Sequence, residues 1–344
     1  MLRLCRLIVL AVAVSACAPS PYCEQGIDGP CTFEPWDHAC ADGNDPPCVT
    51  SEPILADRSV DVLPVELGGT GLTYVVTSFS LSAPDDDRGV VGFNVDGIDS
   101  GSGWTAPDAD CEQFNEDGPG RYDPAHVGAD NAVAGLVGTA EGLLDRADCP
   151  ASAPDGCFQA LIADSLRRGA FLLAVQVRGV DSLDVDPRVE VSVHQARVVG
   201  GRAPAIEPSG ELAAGQTLEL LRTLAVDPDA SLFRGRVRAR FEAMDIPFER
   251  RERLALPPDH HERVELRFDI HSDGLDAMVL GGVVSADELV DEISAAVEPI
   301  FTNASATIRS IVESVADIAP TADPEVCGQL SVGYELAAVP AIIE

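Results

Sequence analysis

Apolar and polar residues change their spacing several times along this 344-residue chain, and each change predicts an element. Val60 to Leu67 and Leu72 to Leu81 read as strands joined across Gly68-Gly69-Thr70-Gly71, a hairpin connection. Val90 to Val95 is a short apolar strand. Asp130-Asn131 then stands where a helix over Ala132 to Arg146 needs its cap. A second helix is predicted from Phe158 to Arg168, with Gly169 just past its end. Ala170 to Val177 is a continuous apolar strand, and Arg188 to Val199 alternates as another.

The sharpest alternation comes later. Phe233, Gly235, Val237, Ala239 and Phe241 alternate with Arg234, Arg236, Arg238 and Arg240, a half-buried strand with an arginine face. Val264, Leu266, Phe268 and Ile270 alternate with Arg263, Glu265, Arg267 and Asp269. If the two strands pair, arginines meet acids across the sheet. Ala277 to Val284 is a further strand. Ser285 with Glu288 forms a capping box for a helix over 285–298. A helix over 303–318 gathers Ile308, Ile311, Val312, Val315 and Ile318 on one face, and Gln329 to Ile343 is a final strand. Strands outnumber helices, so the expected fold is α+β and β-rich: an antiparallel β-sandwich with several helices packed on one side.

The N-terminus changes the picture. Arg3 and Arg6 precede an apolar run, Leu7 to Val14, that is too short to span a bilayer. Val14-Ser15-Ala16-Cys17 follows and resembles the lipobox of bacterial lipoproteins. The resemblance implies a signal peptide over 1–16, cleavage by signal peptidase II, and a lipid-bearing Cys17. The competing reading is an ordinary secretory signal with Cys17 in a disulfide. Ala18 rather than an aspartate follows the cysteine, which in that family implies the outer membrane. Residues 17–53 are rich in Cys, Pro and Gly and read as a tether, with the β-rich domain over 54–344.

Net charge is −34, and removal of Arg3 and Arg6 with the leader takes it to −36. Such a surface repels nucleic acid and anionic headgroups, so the expected partners are the membrane, through the anchor, and a protein or glycan ligand. The chain has no lysine, which excludes phosphate-loop, kinase and Schiff-base lysine chemistry. Eight cysteines remain for an oxidising compartment: Cys23, Cys31, Cys40, Cys48, Cys111, Cys149, Cys157 and Cys327. The first four share a short segment and are expected to pair among themselves. Cys149 with Cys157 and Cys111 with Cys327 are the remaining candidate pairs. Zinc is disfavoured, because no Cys-x-x-Cys spacing is present.

The long acidic loop 96–131 carries nine carboxylates against Arg121. A connection of that length needs something to order it. Calcium takes six to eight oxygens, and Asn94, Asp96, Asp99, Asp110, Asp117, Asp130 and Asn131 are the candidate ligands. The opening Asn94-Val95-Asp96-Gly97 departs from a calcium-binding helix-loop-helix at Ile98, so a solvated loop pinned through Cys111 stays open as the other reading.

Asp259-His260-His261-Glu262 is the one histidine cluster. It reads as a polar loop, since Glu265 stands where a zinc-protease helix needs its second histidine. No nucleophile elbow is present. Gly92 to Gly97, Cys111, Asp117-Gly118, Ala129 to Asn131, Gly281-Gly282 and Cys327 to Gly333 resemble a recurring pattern in envelope lipoproteins of high-GC bacteria. That resemblance implies a family and no particular activity. The expectation is a lipid-anchored, non-enzymatic binding or structural module, with calcium as a candidate cofactor. The alternative is a secreted envelope hydrolase acting on glycans or esters.

Overall fold

In the computed structural model the described residues are 71–81, 89–93, 95, 129–136, 157–248, 258–297, 304–320 and 327–344. All of them fall within the compact unit Arg58–Glu344. Cys17 and the expected leader and tether lie outside them, as do the strand expected at Val60 to Leu67 and the acidic stretch between 96 and 128.

Nine strands form one sheet: β1 (Leu72–Ser80), β2 (Leu173–Arg178), β3 (Val185–Val198), β4 (Gln216–Phe233), β5 (Arg236–Asp245), β6 (His260–Ile270), β7 (Leu275–Ser285), β8 (Ile318–Pro320) and β9 (Cys327–Ile343). Strands β1 to β7 pair antiparallel in chain order. Strand β9 pairs antiparallel with β7 along one edge and with β1 along the other. That last pairing joins the sheet's two ends.

The fold is therefore a closed eight-stranded antiparallel β-barrel, with β8 appended to β9, and not the expected sandwich with helices on one side. The physical reason is plain. Sandwich and barrel strands both bury one face and expose the other, so they share one alternation pattern. What separates them is whether first and last strands meet. Tyr74 opposite Pro340 is such a contact, and it leaves no periodic mark in the sequence.

Inward residues fill the barrel. Val237 faces Phe268, Ala239 faces Leu266, and Phe241 faces Val264, all buried. Tyr334 stands opposite Leu280 and is also buried. Eight strands leave an interior about wide enough for side chains to fill.

Helices are few among the described residues: α1 (Cys157–Arg168), α2 (Ala286–Val297), α3 (Ser305–Val315) and a turn of helix over 132–136. Ser285 Oγ accepts the Glu288 N–H at 3.3 Å, as the capping box requires. On α3, Ile308 and Val312 are the buried positions. Ile318, expected in that helix, instead begins β8. None of the described helices is long and apolar enough to cross a membrane.

Two strand assignments differ from the expectation. The arginine strand does not start at Phe233. Arg234 (φ 48°) and Gly235 (φ 82°) form a two-residue hairpin, and β5 begins at Arg236. Both residues have positive φ, the geometry that matches strand twist in tight hairpins. Strand β4 itself was not anticipated, because Pro228 and two neighbouring aspartates interrupt its alternation.

Candidate functional site at the foot of the acidic loop

The acidic loop leaves the barrel after a strap, residues 90–93, and returns at 129–136. Val91 and Phe93 are buried against Val279, which points out of the barrel wall. The strap lies close to the sheet because two positions of its floor, Gly281 and Gly333, have no side chain. Gly281 and Gly333 are directly opposite each other on β7 and β9. A Cβ at Gly281 would come within 2.7 Å of the Phe93 ring, and one at Gly333 would drive into the Val91 carbonyl oxygen.

Asn131 fastens this junction. Its Nδ2 donates to the Val91 carbonyl at 2.7 Å and to the Gly333 carbonyl at 2.9 Å. Its Oδ1 accepts the Gly333 N–H at 3.1 Å. The feet of the loop meet beside it. The Asp130 N–H donates to the Phe93 carbonyl at 3.1 Å, and Asp130 Oδ2 accepts the Val95 N–H at 3.2 Å. The first amide of the 132–136 helix, Ala132, donates to Ser331 Oγ at 2.9 Å. Ser331 Oγ donates to Asp317, whose other oxygen accepts the Ser331 N–H at 2.8 Å. Ser331 and Asp317 are both buried. Segments up to 202 residues apart in sequence are thus tied into one knot of buried hydrogen bonds.

An arginine–acid ladder runs beside the strap on the same outer face. Arg236 grips Asp269 with contacts of 2.7 and 3.1 Å. Arg238 meets Glu265 at 2.7 Å, and Arg240 reaches the same carboxylate at 3.3 Å. The Arg267 guanidinium lies 5.1 Å from the centre of the Phe93 ring. Glu265 is buried, which by itself would raise its pKa. The guanidinium groups of Arg238, Arg240 and Arg267 outweigh that and hold it below the usual range.

Inside the barrel, His261 and Tyr334 form a buried polar pair. His261 Nδ1 lies 3.0 Å from the Asp259 carbonyl, which can only accept. Nδ1 therefore carries the hydrogen, and Nε2 accepts the Tyr334 hydroxyl at 2.9 Å. Burial pushes His261 down to about 4 and Tyr334 well up. The expected polar loop is corrected here: both His260 and His261 belong to β6. His260 faces outward and is shifted upward, mainly by its hydrogen bond with Asp245. Elsewhere on the barrel His194 Nε2 lies 2.8 Å from Ser192 Oγ, and its Nδ1 3.1 Å from Thr223 Oγ1.

Of the seven candidate metal ligands, Asn94, Asp96, Asp99, Asp110 and Asp117 lie outside the described residues. Asp130 and Asn131 are described, and Asp130 Oδ2 and the Asn131 amide hold main-chain groups as given above. Among the described residues no group of three His, Cys, Asp or Glu side chains is arranged to hold a metal ion. Cys23, Cys31, Cys40, Cys48, Cys111 and Cys149 lie outside the described residues, and Cys157 begins α1. Cys327 is buried at the start of β9 and is disulfide-bonded.

Comparison with protein-family models, curated proteins and solved structures yields no match. Pairing partners such as Asn131 with Gly333, or His261 with Tyr334, carried no sequence signal of their own. Gly281 and Gly333 are the sequence feature that could have pointed to the junction.

Proposed function

We propose that this chain is a lipid-anchored cell-envelope protein whose barrel serves as a non-enzymatic binding or structural module. Val14-Ser15-Ala16-Cys17 supports the anchor, with Cys17 as the lipid-bearing residue and the outer membrane as its home. One structural observation carries the module reading. The polar groups in the barrel wall and at the strap are spent on one another: Asn131 on main-chain groups, Glu265 on arginines, Asp317 on Ser331. A site built for turnover keeps such groups aimed at a substrate instead. The alternative is a secreted envelope hydrolase, metal-dependent or carboxylate-based, acting on glycans or esters.

A second reading is calcium in that loop, with Asn94, Asp96, Asp99, Asp110, Asp117, Asp130 and Asn131 as the candidate ligands. Its support is that the loop's feet are held together at Phe93 and Asp130.

The test of the anchor is metabolic labelling with a palmitate analogue in a bacterial host. The wild type should carry label and partition with membranes. Cys17→Ser should lose both. Label retained in the serine variant would remove the anchor reading.

A further inference from the structure

The outer face of β1, β2 and β3 carries a row of polar side chains away from the acidic-loop junction. Thr73, Gln176 and Ser192 stand directly opposite one another across the three strands. Their neighbours along the strands, Val175, Val177, Val191 and Val193, belong to the core, so the row lies on the outside. Gln176 and Ser192 are nonetheless buried, at 3% exposure each.

Two partners orient the Gln176 carboxamide. Arg178 Nη2 donates to its Oε1 at 2.9 Å, and a guanidinium can only donate, which fixes the carbonyl end. Its Nε2 donates to Thr73 Oγ1 at 3.2 Å. Arg178 is held in turn by Glu190, directly opposite it, at 3.3 Å. On the other side of Gln176, Ser192 Oγ lies 2.8 Å from His194 Nε2, and His194 Nδ1 lies 3.1 Å from Thr223 Oγ1. Burial and the Arg178 charge lower the His194 pKa against the pull of Glu190, which favours the neutral ring. With Nδ1–H donating to Thr223, Nε2 is the acceptor that activates a serine hydroxyl. Directly opposed residues have Cβ atoms roughly 5 Å apart, so Ser192 Oγ is within reach of the Gln176 carbonyl carbon.

We propose that Ser192 and Gln176 form an ester cross-link between β3 and β2, with His194 as the base and Arg178 as the stabiliser of the developing oxyanion. Ser192 Oγ passes its proton to His194 Nε2 and bonds to Cδ of Gln176. The negative charge that builds on Oε1 meets the Arg178 guanidinium. The Cδ–Nε2 bond then breaks, the nitrogen takes the proton from His194, and ammonia leaves. One carboxamide and one hydroxyl become one ester and one ammonia, with no other reactant. Burial of both side chains keeps water from the ester. This is a single turnover within the chain. It goes beyond the module reading by adding a covalent tie to the barrel wall.

The test is intact mass of the soluble mature chain with Cys17→Ser, denatured and with its disulfides reduced. The chain should be one ammonia lighter than its sequence. Cleavage at arginine should yield peptide 169–178 joined to peptide 189–197. Mild alkali should separate the two and leave a glutamate where Gln176 stood. Ser192→Ala and His194→Gln should each restore the full mass. A wild-type chain at full mass after prolonged incubation overturns the proposal, whether or not either variant folds. So does an ammonia loss that maps elsewhere, or a link from 169–178 to peptide 59–88, which would make Thr73 the nucleophile. Lipidation at Cys17 is read separately, so failure here leaves the anchor untouched.

Discussion

His261 Nε2 accepts the Tyr334 hydroxyl at 2.9 Å, inside the barrel and out of contact with water. The pair joins β6 to β9 through side chains. It holds His261 neutral, with Nε2 as the acceptor. His260, the next residue, points outward to Asp245 and shifts the other way. One step along a strand reverses the face, and with it the sign of the shift.

Acid should therefore loosen the barrel through His261. Its pKa falls from 6.5 unfolded to about 4 folded. The unfolded chain binds the proton first, so stability declines as pH drops below 6.5 and the loss levels off below about 4. The shift corresponds to a loss of about 3 kcal/mol. Urea unfolding of the wild type and His261→Leu between pH 7 and 4 checks this. The variant should start less stable and lose that part of the slope.

Glu265 acts in the opposite sense. Its folded pKa lies below the unfolded value, so its contribution is present above the unfolded carboxylate pKa and fades as pH falls through the folded one. Glu265→Gln should cost about 3–5 kcal/mol, because Arg267 remains buried beside it and Arg238 largely so. Thermal melts at pH 7 measure that cost. Replacing Glu265 and Arg238 together by leucine should cost less than the single change.

Gly333→Ala should destabilise by about 2–3 kcal/mol, since the new methyl meets a main-chain oxygen rather than a movable side chain. Gly179→Ala is the control: its Cβ would meet nothing within 4 Å, although its positive φ adds a smaller strain. Denaturant midpoints of the two variants should separate clearly.

Much of the wall was legible from alternation. Strands β1, β2, β3, β6, β7 and β9 fall close to their expected places because each buries one face. The arginine–acid pairing was legible too, since Arg236 opposite Asp269 follows from period two. Closure was not, because the β1–β9 pairing joins residues more than 250 positions apart. Strand β4 was hidden by Pro228 and its bulges. At the candidate site, Asn131 stood out as a helix cap or a metal ligand. Its Oδ1 instead accepts the Gly333 N–H, a choice fixed by a strand that no local pattern connects to it.

Calcium in the acidic loop has a direct thermal test. At a calcium concentration about 100 times the dissociation constant, a bound ion adds about 2.7 kcal/mol. The soluble Cys17→Ser chain should melt higher in calcium than in chelator, and Asp96→Asn should remove the difference. Equal melts leave the loop to its clamp alone.

The central claim is that Asn131 ties the feet of the acidic loop to the barrel through Gly333. Hydrogen exchange at the Gly333 amide, in wild type and in Asn131→Ala, tests it most directly. The account predicts slow exchange in the wild type. In the variant, Gly333 and the strap at 90–93 should exchange much faster, while amides of β5 and β6 keep their protection. Unchanged exchange at Gly333 in Asn131→Ala would contradict it.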